Sequence, residues 1–483
     1  MVKTSRCPLI KEIDTQFSPL DIFDLFQGKH FSFFLDSGMD FNKLGRYSFI
    51  GSNPFLVLCT RGHNLQILQD GHESISQGNP FDELKHYLDI YHLESDGLLP
   101  PFIGGAVGYL SYDLCHFIEQ LPDTAVDDIQ LPECYFGFYD TILAFDNLEK
   151  KTYIISTGFP ELEKNRRTAR AVERMVEMEN IIAQRSGIVS YISDNSVPVS
   201  GNNVVLQGNF THEQYVDAVK KVRDYIIAGD IFEVNISQRF TTDLFISPYE
   251  LYRRLRLINP APFACYLGFD EATIVSASPE RFIRVNGDCV ETRPIKGTRP
   301  RGKTPEEDRL LAKELLSSSK DRAENMMIVD LERNDLGRVS RFGTVKVTEL
   351  AILETFPTVF HLTSTVESRL KEDKDRIDLL KATFPGGSIT GAPKVRSMEI
   401  IDEIEPTKRS VYTGSIGYLS FDGNLDLNIA IRTFIMKGKK AYFQVGGAVV
   451  YDSDPEDEYQ ETLHKGKALI DALSMNECKV IFV

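Results

Sequence analysis

Short apolar segments that end at turn residues recur through most of this 483-residue chain, and they limit the folds it can adopt. Between residues 31 and 67, and again in SVYTGSIGYLSF and KAYFQVGGAVV, apolar and β-branched side chains alternate with polar ones. Alternation with a period of two is typical of strands that bury one face. Helical patterns lie between groups of these segments. The sequence therefore predicts an α+β fold with large antiparallel β-sheets and helices packed outside them.

One segment shows neither the strand nor the helix period. Residues 187–208, GIVSYISDNSVPVSGNNVVLQG, are rich in Ser, Asn, Gly and Val, a composition that favours a linker. We therefore expect a β-rich N-terminal region over residues 1–186 and a catalytic region over residues 209–483 that is intergrown with the first. The length allows two or three ordinary domains or a single large one.

The charge and cysteine content exclude several classes of protein. The chain has 54 Lys and Arg against 70 Asp and Glu, a formal net charge of −16, which argues against a nucleic-acid partner. Its 7 cysteines are scattered without a CxxC spacing, which fits a reducing cytoplasm rather than a zinc site or a disulfide framework. The first residues lack the apolar segment of a signal peptide, and no uncharged apolar run reaches membrane-spanning length. We expect a cytoplasmic protein that does not bind membranes.

Two predicted helices each carry a pair of carboxylates three residues apart. Asp321 and Glu324 form one pair, and Glu458 and Glu461 form the other, in a helix that opens with Asp-Pro. Residues three apart share a helix face, and such a face is often simply solvated. If the two pairs converge, four acids repel one another unless a cation lies between them, and Mg²⁺ prefers such oxygen ligands. The spacing gives a candidate magnesium site but does not show that the pairs converge.

A lysine stands on what the sequence predicts to be a tight connection before a strongly capped helix. Lys296 is flanked by Pro294 and Gly297, and the helix beyond it begins with Thr304 as N-cap and Pro305 in the first turn. A lysine made less basic by burial is a plausible nucleophile. The alternative is a surface lysine beside a turn.

Four further positions could bind or react with an anion. Arg432 lies in the apolar segment LNIAIRTFIM, where a charge must meet an acid or a substrate carboxylate, and we favour a structural ion pair. Tyr412, expected in the preceding strand, could share that anion. His361 lies in an apolar strand, where a satisfied core histidine is the commoner case. The glycine-rich turn 386–394, GGSITGAPK, opens a helix with exposed backbone N–H groups that favour an anion, but it is not a Walker A loop.

Together these motifs resemble the chorismate-utilising enzymes, a family that includes anthranilate, isochorismate and aminodeoxychorismate synthases. The resemblance is dense from Asn209 to Ala472, through PIKGT, KDRAENMMIVDLERNDLGR, FHLTSTVES, FPGGSITGAPKVRSMEIIDEIEP, GSIGYLS, AIRT and GGAVVYDSDPEDEYQET. Several long motifs in the same order make the resemblance specific.

Within the family, the resemblance is strongest to the branch that aminates chorismate on the route to p-aminobenzoate and folate. PIKGT carries a lysine where anthranilate-forming members usually have alanine. The resemblance implies that Lys296 attacks the chorismate ring as the ring hydroxyl leaves, and that ammonia then displaces the lysine. It also implies that Glu280, in SPERF, is the acid/base carboxylate and that His361 lies near the leaving hydroxyl. The alternative is the anthranilate-forming branch.

The resemblance assigns the remaining candidate residues to the cofactor and to the two substrate carboxylates. It implies that Glu324 and Glu461 are direct Mg²⁺ ligands. It implies that Asp321 and Glu458 act through metal-bound water. It implies that the enolpyruvyl carboxylate is held by Tyr412 and Arg432, and the ring carboxylate by Ser388 and the backbone of Gly447 and Ala448. The family usually has glutamate at position 321 and often glycine at position 448.

The source of the nitrogen is also implied. The family's water-activating branch has a lysine at the position of Glu233, in FEVNISQR. Because this chain lacks that lysine, hydroxylation of chorismate is not expected. Ammonia-using members often have glutamine there, and the resemblance gives Glu233 no role. None of the cysteines lies in the G-x-C-x-G setting of a glutamine amidotransferase. We therefore expect ammonia to come from a separate amidotransferase subunit.

Overall fold

The computed structural model describes residues 6–94, 100–184, 203–356, 359–474 and 480–482. Twenty-five strands lie within these ranges. In chain order they are β1 Leu9–Ile13, β2 Ser32–Asp36, β3 Tyr47–Gly51, β4 Leu56–Arg61, β5 Asn64–Gln69, β6 His72–Gln77, β7 Gly105–Leu110, β8 Cys134–Tyr139, β9 Thr141–Asp146, β10 Lys151–Ser156, β11 Val204–Gly208, β12 Glu233–Asp243, β13 Phe263–Gly268, β14 Thr273–Ser278, β15 Arg281–Asn286, β16 Cys289–Arg293, β17 Ile295–Pro300, β18 Lys346–Thr355, β19 Val359–Arg369, β20 Gly391–Ala392, β21 Ser415–Ser420, β22 Leu425–Asn428, β23 Thr433–Lys437, β24 Lys440–Val449 and β25 Val480–Phe482.

The same ranges contain ten α-helices. They are α1 Pro19–Phe23, α2 Pro80–Ile90, α3 Lys164–Ala183, α4 His212–Ala228, α5 Pro248–Ile258, α6 Pro305–Ser317, α7 Ser319–Val339, α8 Arg376–Thr383, α9 Lys394–Ile404 and α10 Pro455–Ser474, with 3₁₀ helices at Tyr112–Phe117 and Gly387–Ile389. None of the helices in the described ranges combines the length and apolar character that a membrane crossing requires.

The first sheet has thirteen strands that come from both halves of the chain. Their order is β1-β10-β9-β3-β2-β13-β14-β23-β24-β12-β11-β25, with β20 paired to β12. The halves join where β2 runs antiparallel to β13 and Phe34 lies opposite Tyr266. Within the described residues the pairing is antiparallel except between β11 and β25.

The second sheet has twelve strands and is built in the same way. Its order is β17-β19-β16-β15-β22-β21-β7-β8-β4-β5-β6, with β18 paired to β19. Here the halves join between β7 and β21, where Gly108 lies opposite Gly417. Both sheets are continuous across the two predicted regions, so each region supplies strands to the other's sheet.

An aromatic core fills the space between the two sheets. Phe49 of the first sheet packs edge-on against Phe102 with ring centroids 5.4 Å apart, and Phe102 stacks on Tyr418 of the second sheet at 4.6 Å. The opposite face of the first sheet is covered by helices α3, α5 and α10, through buried side chains such as Met178 and Leu469. These two sheets with helices packed on them confirm the predicted α+β fold.

Several predicted helix ends are also confirmed. The sequence predicts a capping box at Thr211 and Gln214 and a helix stop at Gly229. Both are present, since Thr211 and Gln214 form the reciprocal capping box of α4 and Gly229 ends that helix with a φ of +85°. Asp454 caps α10, since its Oδ1 accepts hydrogen bonds from the backbone N–H groups of Glu456 and Asp457, at 2.9 and 3.2 Å. Most of the predicted linker lies outside the described residues, and its last residues form β11, so the division into two regions stays a prediction.

Three predicted local structures were wrong. The segment LNIAIRTFIM is not one strand, because β22 ends at Asn428 and β23 begins at Thr433, with Arg432 between them at a φ of +51°. Tyr412 lies in the turn before β21, and Lys296 lies within β17 rather than in a connection. Period-two patterning located the strands but could not show where the backbone leaves a sheet to direct a side chain.

A buried ion cluster ties three strands of the second sheet together, and it provides a test of the fold. The Arg281 guanidinium, 3% exposed, lies 2.7 Å from Glu291 Oε1 and 2.8 Å from Asp426 Oδ2. We expect Arg281→Ala to lower the free energy of unfolding by about 3–5 kcal/mol, because it removes the buried cation that joins the two acids and leaves the partly buried Asp426 carboxylate without its ion pair. The urea unfolding midpoint checks this.

The matched control is Arg309→Ala on α6, where the arginine is 76% exposed and lies 3.0 Å from Glu306. An exposed pair contributes less than about 1 kcal/mol, so this control should unfold almost like the parent protein. Equal midpoints for the two variants would contradict the buried cluster.

Candidate active site

The candidate site begins at a β-bulge that places Lys296 between the two sheets. Ile295 lies opposite Thr363 and Thr298 lies opposite His361, so β17 has one residue more than β19 over this interval. Gly297 supplies the bulge with a φ of +86°, a conformation that favours glycine. The extra residue redirects the Lys296 side chain toward β12 of the first sheet.

Lys296 forms a buried ion pair with a residue to which the sequence gave no role. Its Nζ donates a hydrogen bond of 2.6 Å to Oε1 of Glu233, and the lysine is 8% and the glutamate 0% exposed. Burial alone would lower the pKa of Lys296, but the carboxylates of Glu233, Glu324 and Glu280 outweigh burial and hold the pKa above its usual value. The prediction that burial makes this lysine less basic was therefore wrong.

Glu280 lies just before β15 and is suited to exchange a proton near neutral pH. Its Oε1 accepts a hydrogen bond of 2.6 Å from the Ser388 hydroxyl, and the backbone N–H of Ile295 lies 3.5 Å from the same oxygen. Burial raises the pKa of Glu280 to about 7, although Ser388 and Lys296 act in the opposite direction. Ser388, expected at a substrate carboxylate, here holds this acid.

His361 is buried on β19 beside the lysine strand. Its Nδ1 lies 2.9 Å from the hydroxyl of Thr298. Burial and the positive charge of Arg432 lower the pKa of His361 to about 3. The imidazole is therefore neutral at physiological pH and can donate or accept a hydrogen bond without carrying charge.

Arg432 and Tyr412 offer polar groups that the protein itself leaves unused. Among the described residues, the Arg432 guanidinium has neither an ion pair nor a hydrogen bond, so the predicted structural ion pair was wrong. The Tyr412 hydroxyl is likewise without a hydrogen-bond partner in the described part of the chain, although this side chain is buried. The backbone N–H of Thr413 donates to Ala430 O at 2.8 Å, which joins the two segments. Unpaired donors of this kind favour an anionic ligand.

The four predicted metal ligands lie on α7 and α10, and each has a different partner. Asp321 Oδ2 lies 3.1 Å from Arg299, and Glu461 Oε1 lies 2.7 Å from Lys465. Glu458 Oε1 accepts a 2.6 Å hydrogen bond from the Ser453 hydroxyl. The fourth ligand, Glu324, lies at 4.0 Å from Lys320 and has no closer cation among the described residues.

Electrostatic contacts show that the two helices face one region. The ammonium group of Lys320 on α7 acts on Glu458 and Glu461 of α10, and that of Lys296 acts on Glu324 and Glu461. Burial raises the pKa of Glu324 to about 7 and also raises the pKa of Glu458. Glu324 and Glu458 are therefore short of compensating positive charge, whereas Lys465 helps to hold the pKa of Glu461 below its usual value.

The donor chemistry fits a hard divalent cation, although the side chains do not form a finished site. Within the described residues, no three acidic, histidine or cysteine groups lie close enough together to hold a metal ion. Glu458 Oε2 is nevertheless buried without a hydrogen bond. A Cβ added at Gly447 would lie 3.1 Å from this oxygen and 3.4 Å from Glu461 Oε1, so this glycine leaves room beside both acids. The magnesium site stays a prediction.

The remaining predicted contacts lie close by, in β24 and in the glycine-rich turn. Gly447 and Ala448 lie opposite Ile236 and Asn235 of β12, two or three positions from Glu233. The turn is buried rather than exposed, and the N–H of its second glycine donates to the buried carboxylate of Glu332 at 3.3 Å. The predicted exposure of these N–H groups was wrong, since part of the turn binds the protein's own acid.

Sequence reasoning missed the role of Glu233, although a signal for it was present. An acid in the apolar strand segment IFEVNISQRF needs a buried cation, by the same argument applied to Arg432.

A separate cavity of about 350 Å³ lies between β2, β3, β13 and β15, and none of the candidate residues lines it.

Comparison with known proteins identifies a family. A family model described as a chorismate binding enzyme matches residues 48–471. The chain is 42% identical over 457 residues to anthranilate synthase component 1 of Acetivibrio thermocellus, covering 94% of this chain and 92% of that protein. It is 39% identical over 435 residues to aminodeoxychorismate synthase component 1 of Bacillus subtilis (strain 168), covering 90% of each. The crystal structure of anthranilate synthase component I from Streptococcus pneumoniae TIGR4 matches with a TM-score of 0.76 and 34% identity, over 87% of this chain and 91% of that one.

The raised pKa of Glu280 predicts how its replacement changes stability with pH. Its pKa is about 7 in the fold against a usual 4.5, so the folded state retains this proton longer and loses stability as pH rises between these values. We expect Glu280→Gln to be more stable than the parent protein at pH 8, by up to about 3 kcal/mol, and to show little gain at pH 4.5. Thermal melting at both pH values measures the difference. A gain that is the same at both would show that the fold does not raise the pKa of Glu280.

Proposed function

The chain belongs to the family of chorismate-binding enzymes, and from that premise we propose that it is an aminodeoxychorismate synthase component I. In this proposal it converts chorismate and ammonia to 4-amino-4-deoxychorismate, with Lys296 as covalent nucleophile and Mg²⁺ as cofactor. Ammonia is supplied from glutamine by a separate amidotransferase subunit. The product is then the precursor of p-aminobenzoate and folate.

The observation that carries the proposal is the position of the Lys296 amine. A bulge directs this buried side chain into the space between the sheets, where Glu233 binds it and Glu280 lies close enough to affect its charge. Burying an ammonium group and two carboxylates is costly, and such groups with shifted pKa values cluster at reactive sites. A structural lysine would not require this arrangement.

The surrounding residues support two successive substitutions at the ring. Glu280, with a pKa of about 7, can give a proton to the departing ring hydroxyl and later accept one from the new amino group. The unpaired donors of Arg432 and Tyr412 can hold the enolpyruvyl carboxylate. Glu324 and Glu461, with Asp321 and Glu458 acting through water, would hold Mg²⁺, which would supply positive charge for the ring carboxylate.

Anthranilate synthase component I is the second candidate, and two observations favour it. A relative with that name is the more similar of the two compared, at 42% against 39% identity. In addition, the pair with Glu233 leaves Lys296 protonated, and an ammonium group has no lone pair with which to attack. In this case Lys296 would serve only as a positive charge, and the product would be fluorescent anthranilate.

Product identification separates the two candidates. We expect the protein with chorismate, Mg²⁺ and ammonium at alkaline pH to form aminodeoxychorismate, measured by mass spectrometry or by coupling to a lyase. Formation of anthranilate and pyruvate would instead support the second candidate. The absence of any product from folded protein, with and without an amidotransferase partner, would oppose both.

Replacing the nucleophile tests the covalent route. We expect Lys296→Ala to lower amination by at least about a thousandfold, because the adduct cannot form, while Mg²⁺-dependent chorismate binding survives. Calorimetry measures binding, and product formation measures amination. Lys303→Ala, an exposed lysine seven positions along, is the control and should be fully active. Full amination by Lys296→Ala would reject the covalent route.

Replacing one predicted ligand tests the metal. We expect Glu461→Gln to weaken Mg²⁺ binding and raise the apparent KM for chorismate about tenfold or more, because one negative charge is lost from the site. Glu456→Gln, exposed on the same helix, is the control. The Mg²⁺ dependence of the rate measures both variants, and an unchanged dependence in Glu461→Gln would show that the ligands are assigned wrongly.

A further inference from the structure

We propose that Glu233 is the general base that accepts a proton from the Lys296 ammonium group and so produces the attacking amine. The inference rests on the proposed function, since it assigns a role within the lysine route. The two atoms concerned, Lys296 Nζ and Glu233 Oε1, are 2.6 Å apart. This distance permits direct proton transfer without an intervening water molecule.

The lysine needs a base inside the site. Lys296 is 8% exposed, and its pKa lies above the usual value because the neighbouring carboxylates outweigh burial. The acids that act on it are Glu233 on β12, Glu280 before β15, Glu324 on α7 and Glu461 on α10. Of these four, Glu233 alone is hydrogen-bonded to the amine among the described contacts. Water at neutral pH removes protons from such a group too rarely to sustain a reaction.

The environment of Glu233 makes it a suitable acceptor. A buried carboxylate is usually stabilised by several hydrogen bonds. Glu233 is fully buried, and its Oε2 has no hydrogen-bond partner among the described residues. Among the described residues, Lys296 is the one side chain that donates a hydrogen bond to the carboxylate of Glu233, so the carboxylate is directed at the amine. Transfer from Lys296 to Glu233 converts the ion pair into two neutral groups, so it leaves neither partner as an uncompensated buried charge.

Glu280 cannot easily take the same role. Its Oε1 is bound by the Ser388 hydroxyl, and burial raises its pKa to about 7, so much of it is protonated at neutral pH. A protonated carboxyl is the form needed to assist the leaving hydroxyl. The two glutamates thus have different roles. Glu233 is the base that deprotonates Lys296, and Glu280 is the acid that protonates the leaving hydroxyl.

Protons and electron pairs are conserved over the two substitutions. The Lys296 proton moves to Glu233, and the freed lone pair forms the bond from Nζ to carbon. The ring C–O bond breaks, and its oxygen takes the proton of Glu280 and leaves as water. Ammonia then forms the new C–N bond while the bond to Nζ breaks and returns its electron pair to Nζ. Glu233 gives its proton back to Nζ, and the new ammonium group gives one to Glu280, so chorismate and NH₃ yield aminodeoxychorismate and water.

The test is the pH profile of kcat/KM for chorismate in Glu233→Gln, measured at constant free NH₃. In the parent protein the proton moves within the pair, so Lys296 should impose no pH dependence between pH 7 and 9. In Glu233→Gln the ammonium must lose its proton to water. Glu280 titrates alike in both proteins, so the ratio of the variant's kcat/KM to that of the parent protein isolates Lys296. We therefore expect this ratio to be at most one tenth at pH 7 and to rise about tenfold per pH unit until Lys296 is deprotonated.

Two further measurements make the result specific. Glu233→Asp keeps an acceptor one methylene farther away, so it should be slower but keep the profile of the parent protein. The rate at which acetic anhydride modifies Lys296, followed by peptide mass spectrometry, gives the titration of the amine without any activity assay. In Glu233→Gln the titration midpoint of Lys296 should fall, and it should coincide with the pH at which the ratio of kcat/KM to the parent value stops rising.

The outcomes separate the two proposals. If Lys296→Ala still aminates chorismate, the lysine route itself fails. If Lys296→Ala is inactive but folded Glu233→Gln keeps the pH profile of the parent protein, Glu233 is not the base and only this inference fails. If circular dichroism shows Glu233→Gln to be unfolded, Glu233→Ala with added formate replaces it. Recovery of activity with formate would then support the assignment, and no recovery in folded protein would overturn it.

Discussion

The ion pair between Lys296 and Glu233 is the interaction on which the rest of the site depends, because its two members belong to different sheets. Lys296 lies on β17 of the second sheet and Glu233 on β12 of the first. A charge placed at such a junction must be matched from across the gap, since both side chains are buried. The packing of the two sheets therefore determines the electrostatics of the site. The aromatic core that holds the sheets together also sets the distance between Lys296 and Glu233.

Other charges around the pair follow from the same constraint. Burial would make Lys296 a weak base, yet the surrounding carboxylates reverse the direction of its pKa shift. The same burial raises the pKa of Glu280 and Glu324 to about 7, because their positive neighbours are too few. Arg432, which could have balanced them, has no ion pair among the described residues. The site thus holds charges of both signs that the protein compensates only in part, which fits the proposed binding of a ligand with two carboxylates and of a cation.

Much of the secondary structure was predictable from the sequence, because it depends on patterns among neighbouring residues. Alternation located the strands, and the cap at Thr211 and the stop at Gly229 were correct because each depends on a few neighbouring residues. The strand order was not predictable, since the pairing of β2 with β13 joins segments more than 200 residues apart. The acids of α7 and α10 were found as pairs by their spacing. Their approach to Lys296 and the part of Glu233 depend on how the two sheets meet, which no local pattern records.

The bulge at Lys296 and Gly297 has a consequence for how such an enzyme can diverge. The direction of position 296 is set by backbone geometry, through the extra residue of β17 and the left-handed glycine, and not by the lysine side chain. Any residue at this position projects into the same space, while the strands around it keep their register. A change of reaction type can therefore begin with one codon at position 296, and the adjustment it then requires falls on Glu233, whose buried carboxylate loses its cation.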